Sequence, residues 1–293
     1  MRKAWFIALF AALVFLSAGP AGASGDKQPL LTLVYTANSL GEFRECPVCG
    51  AAAQGGLGRR STVFHEMHDA AADRTIFIAG PNEFAPMVVR KPESPDLARA
   101  LAQAYGMLGY DLGVVTPQEK SWLDSAGAQL PGSWRPLGAT AQTVVLQRAG
   151  LKVAVVLFPD ADFAKEPAKA EQVRAAVQAE AGKARSGADV VVGVSPWGDA
   201  GEKLLLDSAP GAFDLLLGGG KGLGYGVRST ADGRTLWARP PFDGRGMVRF
   251  DILALPQGQE RSWKEGENIS TAVKMFDWDI PQDSVLANVF SWL

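Results

Sequence analysis

Runs of apolar residues alternate with amphipathic segments along the first part of the chain. Leu30–Tyr35, Thr75–Ala79 and Leu112–Val115 are continuous apolar stretches with β-branched residues, which predicts strands buried on both faces. Leu57–Ala72 and Pro95–Leu108 place apolar residues near helical spacing between these strands. The pattern therefore predicts the order strand, helix, strand, helix, strand.

The second half of the chain begins with a predicted hairpin. Thr143–Gln147 and Val153–Phe158 are apolar runs that flank the turn residues Ala149 and Gly150. The other predictions are a long loop over Gly127–Ala141, helices over Lys165–Arg185, Glu202–Ser208 and Asp283–Leu293, buried strands over Val190–Val194 and Asp214–Leu217, and antiparallel strands over Leu236–Arg239 and Met247–Leu253. Together the elements predict an α/β fold, a layered sandwich of two sheets with helices on the outer faces.

The first residues have the character of a signal peptide. Arg2 and Lys3 precede the apolar run Ala4–Leu16, and Ala21-Gly22-Ala23 forms a small-residue cleavage site. The apolar run is too short to span a bilayer comfortably. We therefore expect residues 1–23 to be removed and the protein to be periplasmic or secreted.

Composition narrows the expected partners. Without residues 1–23 the chain carries 27 basic and 31 acidic residues, a net charge of −4. A mildly acidic, mixed surface gives no reason to expect nucleic acid or an anionic membrane as a partner. Residues 24–293 are long enough to bury a large core, and we expect them to form one domain.

Cys46 and Cys49 are the only cysteines in the chain, and they form a C-x-x-C pair. A disulfide closing so short a loop removes little chain entropy, which favours either a reactive role or a local clip over a stabilising role. The nearby helix N-terminus and Arg59 or Arg60 would favour the thiolate, whereas neighbouring glutamates oppose it. A second thiolate at this spacing can resolve a mixed disulfide formed by the first.

Several motifs in the chain follow predicted strands. The strand-end sequence Thr36-Ala37-Asn38-Ser39-Leu40-Gly41 is followed by Gly55-Gly56-Leu57-Gly58-Arg59, and later motifs are Leu108–Asp111, Thr116–Glu119, Ser195-Pro196 and Asp214–Gly222. These motifs resemble those of the metal-dependent phosphoesterase domain of the 5′-nucleotidase / UDP-sugar hydrolase family, over roughly residues 30–290. The resemblance implies a metallophosphoesterase-like two-sheet sandwich.

The chain departs from this family at the positions that hold its metal ligands. Those positions carry Asn38, Leu40, Pro81, Pro117, Gln118, Pro196, Gly220 and Gly222. A pair of divalent cations needs anionic and imidazole donors, so we expect no metal, no cofactor and no dinuclear phosphoesterase mechanism. The cysteine pair in the loop before the first helix makes the chain similar to the branch called 5′-nucleotidase-like (seleno)proteins, which implies redox chemistry.

The two histidines give an alternative reading of the cysteines. Cys46, Cys49, His65 and His68 have a spacing close to that of a zinc site. However, His65 would lie roughly 14 Å along the helix that follows the cysteine loop, at 1.5 Å per residue. One tetrahedral ion cannot span that gap unless the loop folds back, so the sequence favours a surface role for the histidines.

Three functions remain open on the sequence. The first is a thiol-disulfide redox protein that uses Cys46 and Cys49 with a periplasmic redox partner. The second is a non-catalytic binding module that keeps the old cleft for a small anionic ligand, and the third is a phosphoester hydrolase with a rebuilt site. The candidate binding residues are Asn38, Arg59, Arg60, Gln118, Lys221 in a glycine-rich loop, and Trp197, which could stack on a ligand ring.

Overall fold

The computed structural model describes residues 28–46, 53–84, 94–161, 167–257 and 261–293. The predicted signal peptide, Cys49 and the start of the helix predicted from Lys165 lie outside the described residues. The elements in chain order are β1 (Leu31–Thr36), α1 (Leu57–Ala71), β2 (Thr75–Ala79), α2 (Pro95–Met107), β3 (Leu112–Val115), α3 (Pro117–Ser125), β4 (Trp134–Pro136), β5 (Gln142–Arg148), β6 (Leu151–Leu157), α4 (Pro167–Arg185), β7 (Val190–Ser195), α5 (Gly198–Ser208), β8 (Leu215–Gly218), β9 (Gly226–Ser229), β10 (Leu236–Arg239), β11 (Gly246–Ile252), β12 (Ile269–Met275) and α6 (Ser284–Asn288).

The strands form two mixed six-stranded sheets. The first has the order β12-β11-β1-β2-β3-β4, and the second has the order β5-β6-β7-β8-β10-β9. In the first sheet the pairs from β1 to the edge strand β4 are parallel, and antiparallel strands lie only on the β11–β12 side. In the second sheet the pairs from β6 through β7 and β8 to β10 are parallel, and both edge strands are antiparallel to their neighbours. The predicted α/β two-sheet sandwich is confirmed.

Side chains of the central strands alternate between two hydrophobic layers. In β1, Leu31, Leu33 and Tyr35 join the cluster between the sheets, whereas Val34 joins the cluster beneath α1, α2 and α6. In β7, Val191 belongs to a third cluster beneath α4 and α5, while its neighbours face the interior. Burial on both faces explains why these strands are continuous apolar runs in the sequence.

Several elements differ from the sequence predictions. The helix α3 and the strands β9 and β12 were not predicted, and the long loop predicted over Gly127–Ala141 contains β4. The closing helix is shorter than predicted, because α6 ends at Asn288 and continues only as turns. The strands β10 and β11 pair in different sheets, since β10 adds to β8 and β11 adds to β1. Within the described residues, no helix is both long and apolar enough to cross a membrane.

Candidate functional site

Loops at the carboxyl ends of the parallel strands meet between the two sheets. Ligand sites in α/β proteins form at this end of a sheet. We call these loops the polar loop cluster; it comprises residues 37–41, 80–84, 195–199, 219–224 and 240–245. Backbone hydrogen bonds of 2.8–3.1 Å join neighbouring loops, for example from the amide of Asn38 to the carbonyl of Pro81 and from the amide of Gly219 to that of Ser195.

Asn38 connects the loops of the two sheets. Its side-chain oxygen accepts hydrogen bonds from the amide of Gly220 at 2.9 Å and from the side chain of Asn82 at 3.2 Å. Its side-chain nitrogen donates to the carbonyl of Gly220 at 3.3 Å, and the residue is only 1% exposed. The predicted binding residue Asn38 is therefore used to hold loops together.

Strained backbone is concentrated in the same cluster. Asn38, Leu40, Asn82 and Asp243 all have φ between 55° and 64°, and the remaining described non-glycine residue of this kind is Ala149 in the β5–β6 turn. The cluster residues are hydrogen-bonded to one another, from the amide of Leu40 to Asn82 and from that of Asp243 to Asn38. Such strain persists only where the surroundings enforce it and is typical of functional sites.

A buried ion pair lies on the side of the first sheet. Arg60 and Glu83 are both fully buried and are joined at 3.2 Å. Arg60 also donates to Tyr110 at 3.1 Å and to Ser39 at 2.6 Å. The carboxylate of Glu83 accepts further hydrogen bonds from Thr36 at 2.5 Å and from Tyr105 at 2.8 Å.

The tyrosines of this ion-pair cluster remain neutral donors. Burial, and then the charge of Glu83, raise the pKa of Tyr105 well above its usual value, although Arg60 opposes the shift. Burial also raises the pKa of Tyr110, again against the charge of Arg60. The tyrosines thus contribute hydrogen bonds without adding a charge, and the guanidinium of Arg60 lies against the carboxyl group of Glu83.

A second buried ion pair lies on the side of the second sheet. Both terminal oxygens of Glu202 lie 2.8 Å from Arg239, and neither side chain is exposed. Trp237 donates its indole N–H to the same carboxylate at 2.7 Å. Burial raises the pKa of Glu202, although Arg239 and these hydrogen bonds oppose the shift.

The guanidinium of Arg239 also organises the glycine-rich loop after β8. It donates to the backbone carbonyls of Gly219 at 3.0 Å, of Gly220 and Lys221 at 2.9 Å each, and of Leu223 at 3.2 Å. Carbonyl oxygens that converge from one loop would otherwise repel one another or require a bound cation. A protein side chain supplies the positive charge in this loop.

The residues present do not fit the pair of divalent cations that the family resemblance implies. Such ions need carboxylate and imidazole donors. The buried carboxylates Glu83 and Glu202 are bound to arginine, and Glu119 caps α3 by accepting backbone N–H groups. A Cβ at Gly220 would overlap the carbonyl oxygen of Pro196, and a Cβ at Gly222 would overlap the side chain of Asp199 at the start of α5. Among the residues described, no three His, Cys, Asp or Glu are grouped to hold a metal.

Cys46 lies at the neck of a separate loop before α1. It is disulfide-bonded, and Cys49, the only other cysteine of the chain, lies outside the described residues. The amide of Cys46 donates to the carbonyl of Gln54 at 2.8 Å and closes the neck. Gln54 is fastened in turn to the end of β12, because its side chain donates to Asp277 at 3.0 Å. Cys46 is half-buried at this position.

The two arginines predicted to favour a thiolate lie in different places. Arg59 lies beside the neck, where it pairs with Glu45 at 2.7 Å and donates to the carbonyl of Gly55 at 3.2 Å. Arg60 points instead into the buried ion-pair cluster with Glu83. The first turn of α1 thus places the guanidinium of Arg59 beside the neck of the cysteine loop and that of Arg60 in the interior.

Trp197, a candidate for stacking on a ligand ring, packs in the core. It is 8% exposed, packs on Phe158 with ring centroids 4.7 Å apart, and donates its indole N–H to the carbonyl of Pro159 at 2.7 Å. By contrast, Gln118 in the first turn of α3 and Lys221 in the glycine-rich loop are both exposed.

The histidines face other parts of the molecule. His65 is exposed, with Nδ1 3.8 Å from the carboxylate of Asp283. His68 stacks on Phe77 with ring centroids 4.3 Å apart. The surface role that the sequence favours therefore describes His65, whereas His68 is half-buried and packs on an aromatic ring.

The two buried ion pairs are the part of the site that sequence reasoning missed. Glu83, Glu202 and Arg239 belong to no motif that the sequence marks. The one available signal is that Glu202 lies in a predicted helix and Arg239 ends a predicted strand, where an unpaired buried charge would be costly.

No family model and no curated protein matches the sequence. Solved structures match the fold. The 5′-nucleotidase precursor from Thermus thermophilus superposes with a TM-score of 0.60 at 14% identity, covering 89% of this chain and 57% of that one. The sulfate thiohydrolase SoxB from the same genus superposes with a TM-score of 0.59 at 15% identity, covering 89% and 60%.

A third similar structure is the calcineurin-like phosphoesterase YfkN from Bacillus subtilis, with a TM-score of 0.56 at 14% identity, covering 89% of this chain and 95% of that one. The chain spans about three fifths of the length of the first two proteins. Similarity at this identity shows the fold alone. The chain therefore has the metallophosphoesterase-like fold of the 5′-nucleotidases.

Proposed function

We propose that this protein is an exported thiol-disulfide redox protein, built on a metallophosphoesterase-like scaffold that has lost its metal ligands. The observation that carries the proposal is the disulfide at Cys46, in a loop whose neck is fixed by backbone and side-chain hydrogen bonds. A fixed neck presents a reversible covalent bond at a defined place, which exchange with a protein partner requires.

The groups around Cys46 favour the thiolate form that thiol-disulfide exchange needs at neutral pH. Arg59 lies at the neck and α1 begins at Leu57, so a guanidinium and a helix N-terminus both favour a thiolate there. Glu45 reduces this effect because its carboxylate pairs with Arg59.

The proposed exchange uses a dithiol protein as the reductant. A thiolate of the partner attacks one sulfur of the Cys46–Cys49 bond, and the other sulfur leaves as a thiolate. The second thiolate of the partner then attacks the mixed disulfide. Two electrons pass to this protein, Cys46 and Cys49 take up protons as free thiols, and the partner leaves as a disulfide.

The reduction potential tests the proposal. The mature chain is equilibrated in graded thiol-disulfide buffers, and the oxidised fraction is measured by thiol trapping and mass spectrometry. We expect a potential above about −250 mV, because structural disulfides usually lie below about −300 mV. Glu45→Gln should raise the potential by favouring the thiolate form, and Cys46→Ser is the control that abolishes exchange. A reduction potential below about −300 mV would instead indicate that the disulfide is a structural clip of the loop.

Export is part of the proposal and has its own test. The supporting observation is the charged and apolar pattern of residues 1–23. Expression of the full chain should yield a periplasmic or secreted protein whose N-terminus follows Ala23. A full-length protein retained in the cytoplasm would contradict export, and the cysteines would then face a reducing compartment.

A binding module is the second candidate, and exposed polar groups at the rim of the polar loop cluster favour it. Glu119, Asn82, Asn38 and Gly220 form a chain of hydrogen bonds across the cluster. Gln118 and Lys221 adjoin its two ends and are both exposed. Binding of a nucleotide or sugar phosphate that is unchanged in Cys46→Ser and lost in Lys221→Ala would favour this function. Metal-dependent phosphate release would favour the third alternative, a hydrolase with a rebuilt site.

A further inference from the structure

The loop after β8 encloses a positive charge that belongs to the protein itself. The guanidinium of Arg239 is fully buried, bonds both oxygens of Glu202 and donates to four backbone carbonyls of residues 219–223. All of its donors have acceptors within hydrogen-bond distance. The arrangement is a closed cation site made of one carboxylate and a ring of carbonyl oxygens.

The end of β8 packs tightly against this site. A Cβ at Gly218 would overlap the carboxylate of Glu202, and a Cβ at Gly219 would overlap Pro81. Both positions require glycine, because Gly218 lies directly on the ion pair and Gly219 lies directly on the loop after β2. The loop is thus shaped around the guanidinium.

A corresponding arrangement supports the first sheet. The guanidinium of Arg60 is buried between Glu83, Ser39 and Tyr110. Each sheet therefore has one internal arginine beneath the loops that extend from its parallel strands. Neither guanidinium is exposed to solvent, and because both are covalently part of the chain, neither can be lost to a chelator.

We propose that these two guanidinium groups, and Arg239 above all, are built-in cations that replace bound metal in holding the polar loop cluster, so that the fold is independent of divalent ions. The proposal does not depend on the thiol chemistry proposed above. It assigns Arg239 a positioning role for the loop of residues 219–223. Removing its side chain should leave an empty site for a planar cation.

Chemical rescue of Arg239→Ala tests the proposal. The variant should melt about 6–20 °C below the wild type, since removing one partner of a buried pair leaves the other charge uncompensated. Millimolar ethylguanidinium should recover about half of the loss or more by binding the folded state, whereas ethylammonium and divalent cations should not. Arg135→Ala is the control, because Arg135 also donates to backbone carbonyls but is exposed, and it should neither melt earlier nor respond.

The wild type gives an independent measurement if Arg239→Ala does not fold. Metal analysis of the purified protein should find well under about one equivalent of any divalent ion, and a chelator should leave Tm unchanged within about 1 °C. A stoichiometric metal, a chelator-dependent Tm, or a folded Arg239→Ala variant that ethylguanidinium does not stabilise would overturn the proposal. Thiol exchange activity in the same samples would be unaffected by any of these outcomes.

Discussion

Replacing Arg60 by methionine should strongly destabilise the protein. Methionine keeps much of the side-chain length but removes the charge and all the donors, so Glu83 retains only the hydroxyl groups of Thr36 and Tyr105. Ser39 loses its bonded guanidinium as well. Breaking a fully buried ion pair from one side costs about 3–5 kcal/mol, because an uncompensated charge remains in the interior.

A double-mutant cycle gives the prediction its sharper form. Glu83→Gln should also cost about 3–5 kcal/mol by leaving Arg60 unpaired, but Arg60→Met combined with Glu83→Gln leaves no buried charge at all. The double variant should therefore lose less than the sum of the single losses, by about 0.5–3 kcal/mol. An exposed control, Arg135→Met, should change the free energy of unfolding by no more than about 0.5 kcal/mol.

Urea unfolding followed by tryptophan fluorescence measures these free energies, since the chain has 8 tryptophans. All variants are compared with Cys46 in the same oxidation state. Where their m-values agree, a difference in the urea midpoint reports a difference in the free energy of unfolding. A loss below about 1 kcal/mol for Arg60→Met, or strictly additive losses, would refute the claim that the pair is buried and mutually compensating.

Two further predictions concern close packing and helix capping. Gly80→Ala should lower the free energy of unfolding by about 1–3 kcal/mol, because the new Cβ would overlap the hydroxyl of Tyr35, which bonds the carbonyl of Gly218 across the sheets at 3.1 Å. Asp283→Ala should cost about 1–2 kcal/mol at neutral pH, since Asp283 caps α6 and accepts a hydrogen bond from Ser61 at 2.7 Å. This second loss should shrink as the pH falls below about 4.

The physical reason for the pH dependence is the lowered pKa of Asp283. Partial burial acts to raise that pKa, but hydrogen bonds from Ser61, Leu286 and Val285, together with His65, outweigh it. A lowered pKa contributes stability above the unfolded value, and this contribution disappears as the pH falls through the folded value. A pH-independent loss for Asp283→Ala would contradict this account, and Asp283→Asn, which keeps the cap, is the control. In Gly80→Ala the new Cβ would also overlap two ring carbons of Tyr35, so the substitution is repeated in a Tyr35→Ala background, which removes all three overlapping atoms. The additional loss from Gly80→Ala should then disappear, and a loss that persists would mean that the overlap is not the cause.

The central strands were predictable because burial on both faces leaves a strong local signal. Thr75–Ala79, Leu112–Val115 and Leu236–Arg239 were predicted with the bounds that the structure has. The missed elements are those whose stability comes from their neighbours. The strand β4 has three residues, and β12 is an edge strand with mostly exposed or half-buried side chains, so neither has an apolar run. The helix α3 is a short polar segment whose start depends on the capping box of Thr116 and Glu119.

Local sequence determined the sandwich of central strands and covering helices, the position of the cysteine pair before α1, and the scarcity of histidine, with two in the whole chain. Tertiary structure alone decided which charges meet. Arg60 and Glu83 are 23 residues apart, and Glu202 and Arg239 are 37 apart. A buried charge needs an oppositely charged partner nearby in space. The packing of α1 and α5, each on its own sheet, brings these partners together across sequence separations that a short-range pattern cannot detect.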